Sequence, residues 1–148
     1  MDQSQARIED IRLEGERRLK YKGTARINLD VLYFRWDQLC RSDKKHVEKL
    51  ERCFEKEGCH RLPVLNHVAA IINPSDLDAA MRRSGVTVLT NNEAAFSELT
   101  FPDGFQLQCL NGLHRILAGR KFLSPRDKWW VVDLYLSGMS RSTRNNTC

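Results

Sequence analysis

The segment of residues 105–136 changes its hydrophobic period twice, and this limits the folds that the chain can adopt. FQLQCL, residues 105–110, alternates large apolar side chains with glutamines, as a strand with one wet face does. Asn111-Gly112 interrupts the alternation, and apolar residues then return at helical spacing until Pro125 ends the helix. WWVVDLYL, residues 129–136, is a bulky strand. A strand, a tight turn, a helix and another strand are therefore predicted in succession.

The earlier part of the chain also alternates strands with helices. A first strand is predicted near residues 25–29, in the β-branched and aromatic segment ARINLDVLYF. Ser42 as N-cap, an acidic first turn and apolar residues at i, i+3 and i+7 predict a helix that ends near Gly58. Further elements are predicted as follows: a short strand at 62–65, a strand or helix at 68–72, a capped helix at 75–85 and an amphipathic helix at 92–99. This order predicts the mixed α/β class.

The length and composition indicate one folded domain. A chain of 148 residues is long enough for a single sizeable core. We expect a charged N-terminal arm at residues 1–22, the domain at 23–138 and a flexible tail at 139–148. No run of eighteen apolar residues occurs, and the charged N-terminus is unlike a signal peptide. We therefore expect an intracellular protein, of the nucleus or cytoplasm, that does not enter a membrane.

The cysteines predict neither a disulfide framework nor a metal site. Their number, five, is odd, and a chain of this size does not need disulfides, so reduced thiols are expected. Cys53, Cys59 and His60 lie close together, and His67 follows seven residues after His60. No Cys-x2-Cys pair accompanies them, and we therefore predict no bound metal.

The turn after residue 110 has features of an anion site. A strand that turns sharply into a helix leaves backbone N–H groups unpaired, and the helix dipole adds positive character there. The net charge of +5 is compatible with a phosphate-bearing partner. One interpretation is an ordinary Asn-Gly turn with a packed histidine and an ion-paired arginine. The other is a phosphate site formed by the whole turn: Asn111, Gly112, Leu113, His114 and Arg115.

The strand-Gly-x-His-Arg-helix element, together with the strand-helix-strand segment of residues 27–65, resembles the ParB and sulfiredoxin superfamily. The corresponding turn reads Gly-x-Arg-Arg in ParB proteins and Gly-Cys-His-Arg in sulfiredoxins, and both bind nucleotide phosphates with it. Residues 109–136 look more specifically like a group of large fungal proteins that carry a ParB-like element. Over residues 25–136 the resemblance implies a ParB/sulfiredoxin-like fold, a small sheet with flanking helices.

Several positions depart from the patterns of these families. Leu113 stands where sulfiredoxins have their reactive cysteine, so sulfinic acid reduction is not expected, and Cys109 on the preceding strand does not take that role. When the long helix is matched to that of sulfiredoxins, His46 takes the position of a lysine that contacts phosphate in sulfiredoxins. Lys49 and Cys53 take two neighbouring polar positions. The Glu-Asn-x-x-Arg motif and the helix-turn-helix of ParB are absent from the sequence. A complete CTP-gated DNA clamp is therefore not expected.

The resemblance and the basic residues together predict phosphate binding at the turn. The ligand would be a nucleotide, namely ATP or CTP with Mg²⁺, or a phosphate of a nucleic acid. Four further basic residues would line the same cleft: His46, Lys49, Arg35 and Arg41. His114 is the catalytic candidate for NTP hydrolysis or phosphotransfer, as a proton-transfer or phosphate-polarising group. Two alternatives stay open: a non-enzymatic DNA- or RNA-binding module, and a protein-interaction domain without ligand, with a homodimer as one form.

Overall fold

The computed structural model describes residues 20–90 and 96–137, which form a mixed α/β fold as predicted. The strands are β1 (Tyr21–Asn28), β2 (Leu32–Tyr33), β3 (Val68–Ile72), β4 (Ser97–Glu98), β5 (Leu107–Cys109) and β6 (Trp129–Leu136). The α-helices are α1 (Trp36–Leu39), α2 (Lys44–Glu57), α3 (Pro74–Ser84) and α4 (Leu113–Phe122). Short 3-10 turns occur at Leu29–Val31, Val64–Asn66 and Pro125–Asp127. No helix in these ranges is both long and apolar enough to cross a membrane.

All six strands belong to one sheet, in the order β2-β5-β3-β6-β1-β4. β2 is parallel to β5, so the carboxyl ends of these two strands meet at one edge of the sheet. β3 is antiparallel to β5 and therefore begins at that same edge. We call this edge, where β2 and β5 end and β3 begins, the upper edge. The β5–α4 turn and the segment from β2 to α1 both leave the sheet there.

The core includes buried residues of β1, β3 and β6, and β1 and β6 pair in antiparallel fashion over most of their length. Trp130 is the largest fully buried side chain, at 1% exposure, and its indole N–H donates to the carbonyl oxygen of Asn66 at 2.8 Å. A Cβ atom on Gly119 of α4 would lie only 3.1 Å from Cζ3 of Trp130, so this helix packs closely on the indole. Trp129 points to the other face, as the alternation of a strand dictates, and has the guanidinium of Arg61 at 3.5 Å from its ring centroid.

A buried polar network ties the segment before β3 to β1 and β6. Nδ1 of His67 lies 2.9 Å from Oδ1 of Asp133, and its Nε2 lies 2.7 Å from the carbonyl oxygen of Leu62. The Thr24 hydroxyl donates to the same Asp133 oxygen at 2.7 Å and also contacts the Tyr21 hydroxyl. His67 therefore belongs to the core. Within the described ranges, no group of three or more His, Cys, Asp or Glu residues could hold a metal ion.

Two predicted elements are wrong. Residues 62–65 do not form a strand; the backbone N–H of Asn66 bonds back to the Pro63 carbonyl at 2.9 Å and closes a 3-10 turn. The helix predicted at 92–99 is replaced from Ser97 onwards by β4, because this segment pairs in parallel with β1 and buries Leu99. Residues 91–95 of that prediction lie outside the described residues.

Other element boundaries differ by a few residues from those predicted. The N-cap of α2 is Asp43 rather than Ser42, because the Asp43 carboxylate accepts a hydrogen bond from the Lys45 N–H at 3.0 Å. β1 already begins at Tyr21, two residues before the expected domain boundary. The strand predicted at 105–110 is confirmed over its central residues, as β5. The remainder of the predicted arm, residues 1–19, and the predicted tail at 139–148 lie outside the described residues.

Candidate phosphate-binding site

The turn between β5 and α4 packs tightly on the start of β3. Gly112 has a φ of +81°, and a Cβ atom there would lie 2.5 Å from Cγ2 of the buried Val68. On either side of this contact, the Asn111 side chain accepts from the Ala69 N–H at 2.9 Å, and the Leu110 N–H donates to the Ala69 carbonyl at 2.7 Å. Only glycine fits this position without strain. The turn is therefore held in one conformation.

Within the described residues, this conformation leaves the first three amides of α4 without a hydrogen-bond partner. The first helical hydrogen bond runs from the Ile116 N–H to the Gly112 carbonyl at 3.0 Å. Gly112 offers no side chain to cap the helix, and in residues 20–90 and 96–137 no acceptor faces the backbone N–H groups of Leu113, His114 and Arg115. Unpaired amides at a helix N-terminus are donors for an anion.

A second helix brings its N-terminus to the same place. The His46 and His114 rings meet edge to face, with centroids 4.6 Å apart, near the starts of α2 and α4. Phe54 and Phe122 meet near the ends of these helices, with centroids 5.7 Å apart. The two helices therefore run side by side in the same direction, and the positive ends of their dipoles lie together. At α2 the Asp43 carboxylate already caps this end, so a further negative charge is favoured chiefly by the dipole of α4.

His114 fastens the two helix starts to each other. Its Nε2 accepts a hydrogen bond from the backbone N–H of Asp43, the N-cap residue of α2, at 3.1 Å. A ring nitrogen that accepts must carry a lone pair, so this bond assigns the proton of the neutral imidazole to Nδ1. The remaining N–H of His114 is then a donor, while Nε2 is already engaged.

The predicted basic residues differ in how freely they could contact a ligand. Arg115 is half-buried and has no hydrogen-bond or ion-pair partner within the described part of the chain. Arg35 is engaged: its Nε and Nη2 each lie 3.1 Å from an oxygen of Asp37, in an exposed ion pair. Arg41 and Lys49 are exposed. Lys49 follows His46 by one helical turn and thus shares its face of α2.

The family comparison matches residues 20–148 to the model described as the N-terminal domain of a protein of unknown function (DUF3723). The chain belongs to this family. The match includes every described strand and helix, and so includes the turn and both helix starts. No curated protein and no solved structure matches the chain.

Three residues that the sequence did not single out hold the site of the DUF3723 domain together. The Gln38 side chain donates to the Cys109 carbonyl at 3.2 Å and so fixes α1 against the end of β5. Arg120 donates to the carbonyls of Leu29 and Leu32, at 3.1 and 2.7 Å, and anchors α4 beside β2. Asp43 supplies the N–H that His114 accepts. Asp43 was recognisable as a residue of N-cap type, whereas Gln38 and Arg120 act on partners far away in the sequence and leave no local signal.

The thiols of the DUF3723 domain should differ sharply in reactivity. Burial raises the pKa of Cys109 to about 12, whereas Cys40 and Cys53 are exposed. Because the thiolate is the reactive species, Cys109 should resist iodoacetamide at pH 8 under native conditions, while Cys40 and Cys53 are alkylated. Peptide mass spectrometry measures the extent of alkylation at each cysteine, with the urea-unfolded chain as control. Alkylation of native Cys109 as fast as of Cys53 would contradict the buried position.

Proposed function

We propose that this domain binds the phosphate of a nucleotide or nucleic acid at the adjoining N-termini of α2 and α4. The observation that carries the proposal is that the amides of Leu113, His114 and Arg115 have no hydrogen-bond partner within residues 20–90 and 96–137, at the N-terminus of α4 and beside that of the parallel helix α2. Phosphate is the biological anion that such a group of donors suits best. The resemblance of this turn to those of ParB proteins and sulfiredoxins supports the same ligand class.

The side chains around these amides have complementary roles in the proposal. Arg115, half-buried and unpaired within the described ranges, would donate two parallel hydrogen bonds to phosphate oxygens. Nδ1–H of His114 would add a donor, since its Nε2 is occupied by Asp43. Exposed Arg41 and Lys49 would add longer-range attraction. Mg²⁺ would arrive bound to the phosphates of ATP or CTP, because Mg²⁺ commonly binds through substrate phosphates.

The proposal is for binding rather than for hydrolysis or phosphotransfer. The sequence predicts His114 as the catalytic candidate. In the structure its Nε2 accepts the Asp43 N–H and does not offer its lone pair to a reactant. A general base needs a free lone pair within hydrogen-bond reach of the proton that it removes. His114 therefore fits the role of a positioning residue that sets the spacing of the two helix starts.

A thermal-shift titration with ATP, ADP, CTP and GTP, each with and without Mg²⁺, tests the proposal. We expect at least one nucleotide to raise the melting temperature of the wild type, and Arg115→Ala to weaken its binding about tenfold or more, since hydrogen bonds to charged groups contribute about 1.5–3 kcal/mol. Arg83→Ala is the matched control. It removes the same charge from an exposed site on α3, and Ser84 beside it bonds Thr100, next to β4 at the far side of the sheet from β5.

The responses of the two variants decide between the outcomes. A reduced shift in Arg115→Ala, with a shift in Arg83→Ala equal to that of the wild type, supports the assigned site. Equal shifts in the wild type and in Arg115→Ala would show that the phosphate is not held at the turn. No binding of any nucleotide or oligonucleotide, together with a concentration-dependent mass, would favour the protein-interaction alternative.

A nucleic-acid strand is the second candidate ligand, favoured by the exposed basic residues that surround the turn. Arg41, Lys45 and Lys49 extend the positive surface beyond what a single phosphate requires. A strand that contacts several phosphates releases several counterions, so the affinity for an oligonucleotide should fall steeply with salt. A steep salt dependence for a single-stranded oligonucleotide, together with no nucleotide response, would favour this candidate.

A further inference from the structure

The three tryptophans of the domain have very different surroundings. Trp130 is fully buried, and Trp129 has the guanidinium groups of Arg61 and Arg26 at 3.5 and 5.4 Å from its ring. Trp36 is 76% exposed, and within the described residues no aromatic ring or guanidinium stacks on it. Tryptophan is buried on average in folded proteins, so an indole this exposed needs a reason.

The backbone that carries Trp36 is held in place by hydrogen bonds. Trp36 is the first residue of α1, which is closed by bonds from the Leu39 N–H to the Arg35 carbonyl at 3.0 Å and from the Cys40 N–H to the Trp36 carbonyl at 2.9 Å. The Gln38 side chain, two residues further on, bonds the Cys109 carbonyl. The indole therefore does not belong to a loose loop, and little conformational entropy would be lost when a ring stacks on it.

Helix α1, which carries Trp36, lies beside the candidate phosphate site. β2 and β5 are parallel neighbours, with Tyr33 opposite Gln108. Trp36 follows Tyr33 by three residues, and Gly112 follows Gln108 by four, so both leave the sheet at the upper edge. Leu110, in the turn itself, is also exposed. The upper edge thus combines an apolar surface with basic side chains and with the amides of α4 that have no partner among the described residues.

We infer that Trp36 is the base-stacking residue of this site: a nucleobase joined to the phosphate bound at α4 lies against its indole. The inference rests on the proposed function and specifies the ligand further. A nucleotide unit is a flat aromatic ring joined to an anion, and the upper edge offers an aromatic face next to anion donors. An apolar peptide would match the indole but would leave the amides and Arg115 unpaired. The source of the nucleotide unit is either free ATP or a single strand, whose bases are open to stacking.

The test compares ligands with and without a base. Isothermal titration measures the affinity of ATP, inorganic tripolyphosphate, a single-stranded ten-nucleotide oligothymidylate and its abasic counterpart. The variants are Trp36→Ala and Trp36→Phe. Val88→Ala is the control, since it trims an exposed apolar side chain next to Leu89, which packs on Gly23 at the start of β1. Thermal melts confirm that each variant folds.

We expect Trp36→Ala to lower the affinity for the base-bearing ligand on the order of tenfold, because stacking of one base on an aromatic side chain has about this effect on affinity. Tripolyphosphate and the abasic strand should bind the wild type and Trp36→Ala equally, and Trp36→Phe should recover most of the loss. A loss seen with ATP alone identifies free nucleotide as the source, and a loss seen with oligothymidylate alone identifies a nucleic-acid strand.

The two proposals fail in different ways. If tripolyphosphate binds the wild type, and Trp36→Ala leaves the affinities for ATP and oligothymidylate unchanged, the stacking role is wrong while phosphate binding stands. If the affinity for tripolyphosphate falls in Trp36→Ala as much as that for ATP, the indole does not act on the base, and the inference is equally wrong. If none of the four ligands binds the wild type, the proposed function and the stacking role are both overturned.

Discussion

Gly112→Ala is expected to destabilise the domain by about 2–5 kcal/mol. The left-handed backbone at this position costs any L-residue roughly 1–2 kcal/mol, and forcing a methyl group into a packed core costs about 1–3 kcal/mol more. Both costs apply, because φ is +81° and the new Cβ atom would lie 2.5 Å from Cγ2 of fully buried Val68. Urea unfolding followed by circular dichroism measures the change in the free energy of unfolding.

Gly85→Ala separates the two costs. Gly85 has a similar φ of +71°, but a Cβ atom there would have no neighbour within 4 Å. This variant should lose only about 1 kcal/mol. The double variant Gly112→Ala/Val68→Ala should lose less than the sum of its two single changes, because removing the valine methyls relieves the contact. A Gly112→Ala loss no larger than that of Gly85→Ala would contradict the tight packing of the turn on β3.

Trp130→Ala is expected to cost about 3–5 kcal/mol, the range for truncating a buried aromatic residue. The indole is 1% exposed, packs against Gly119 of α4 and donates to the Asn66 carbonyl. Its loss removes the surface on which α4 lies, so the N-terminus of that helix should lose its fixed position as well. Urea unfolding measures the stability, and hydrogen exchange of the α4 amides reports on the helix.

Trp36→Ala is the matched control for Trp130→Ala. It removes the same side chain from a position that is 76% exposed, and a surface change of this kind usually alters stability by no more than about 0.5 kcal/mol. The contrast between the two variants tests the burial assignments directly. Two small losses would contradict the burial of Trp130, and two large losses would contradict the exposure of Trp36.

Local signals in the sequence predicted much of the turn. The switch from alternation to helical spacing around Asn111-Gly112 correctly predicted β5, the turn and α4, because each depends on neighbouring residues. The positions of Trp129 and Trp130 on opposite faces of β6 follow from the same local rule. The ParB/sulfiredoxin-like fold and the phosphate ligand remain predictions of the resemblance.

The shape of the site depends on contacts that no local pattern encodes. His114 accepts from Asp43, and Gln38 donates to Cys109, each across 71 positions of the sequence. The shared direction of α2 and α4 follows from packing of this kind, and so does the placement of Trp36 beside the turn. β4 was predicted as a helix for the same reason: Ser97 pairs with Ala25 of a strand far earlier in the chain.

Backbone amide chemical shifts measured by NMR during a titration with ATP and Mg²⁺ test the phosphate site most directly. An amide that begins to donate to a phosphate moves downfield in a resolved ¹H–¹⁵N spectrum. The N–H resonances of Leu113, His114 and Arg115 should show the largest downfield changes and saturate together. If these resonances stay unchanged while the nucleotide shifts others or shifts none, the domain does not bind phosphate at the start of α4.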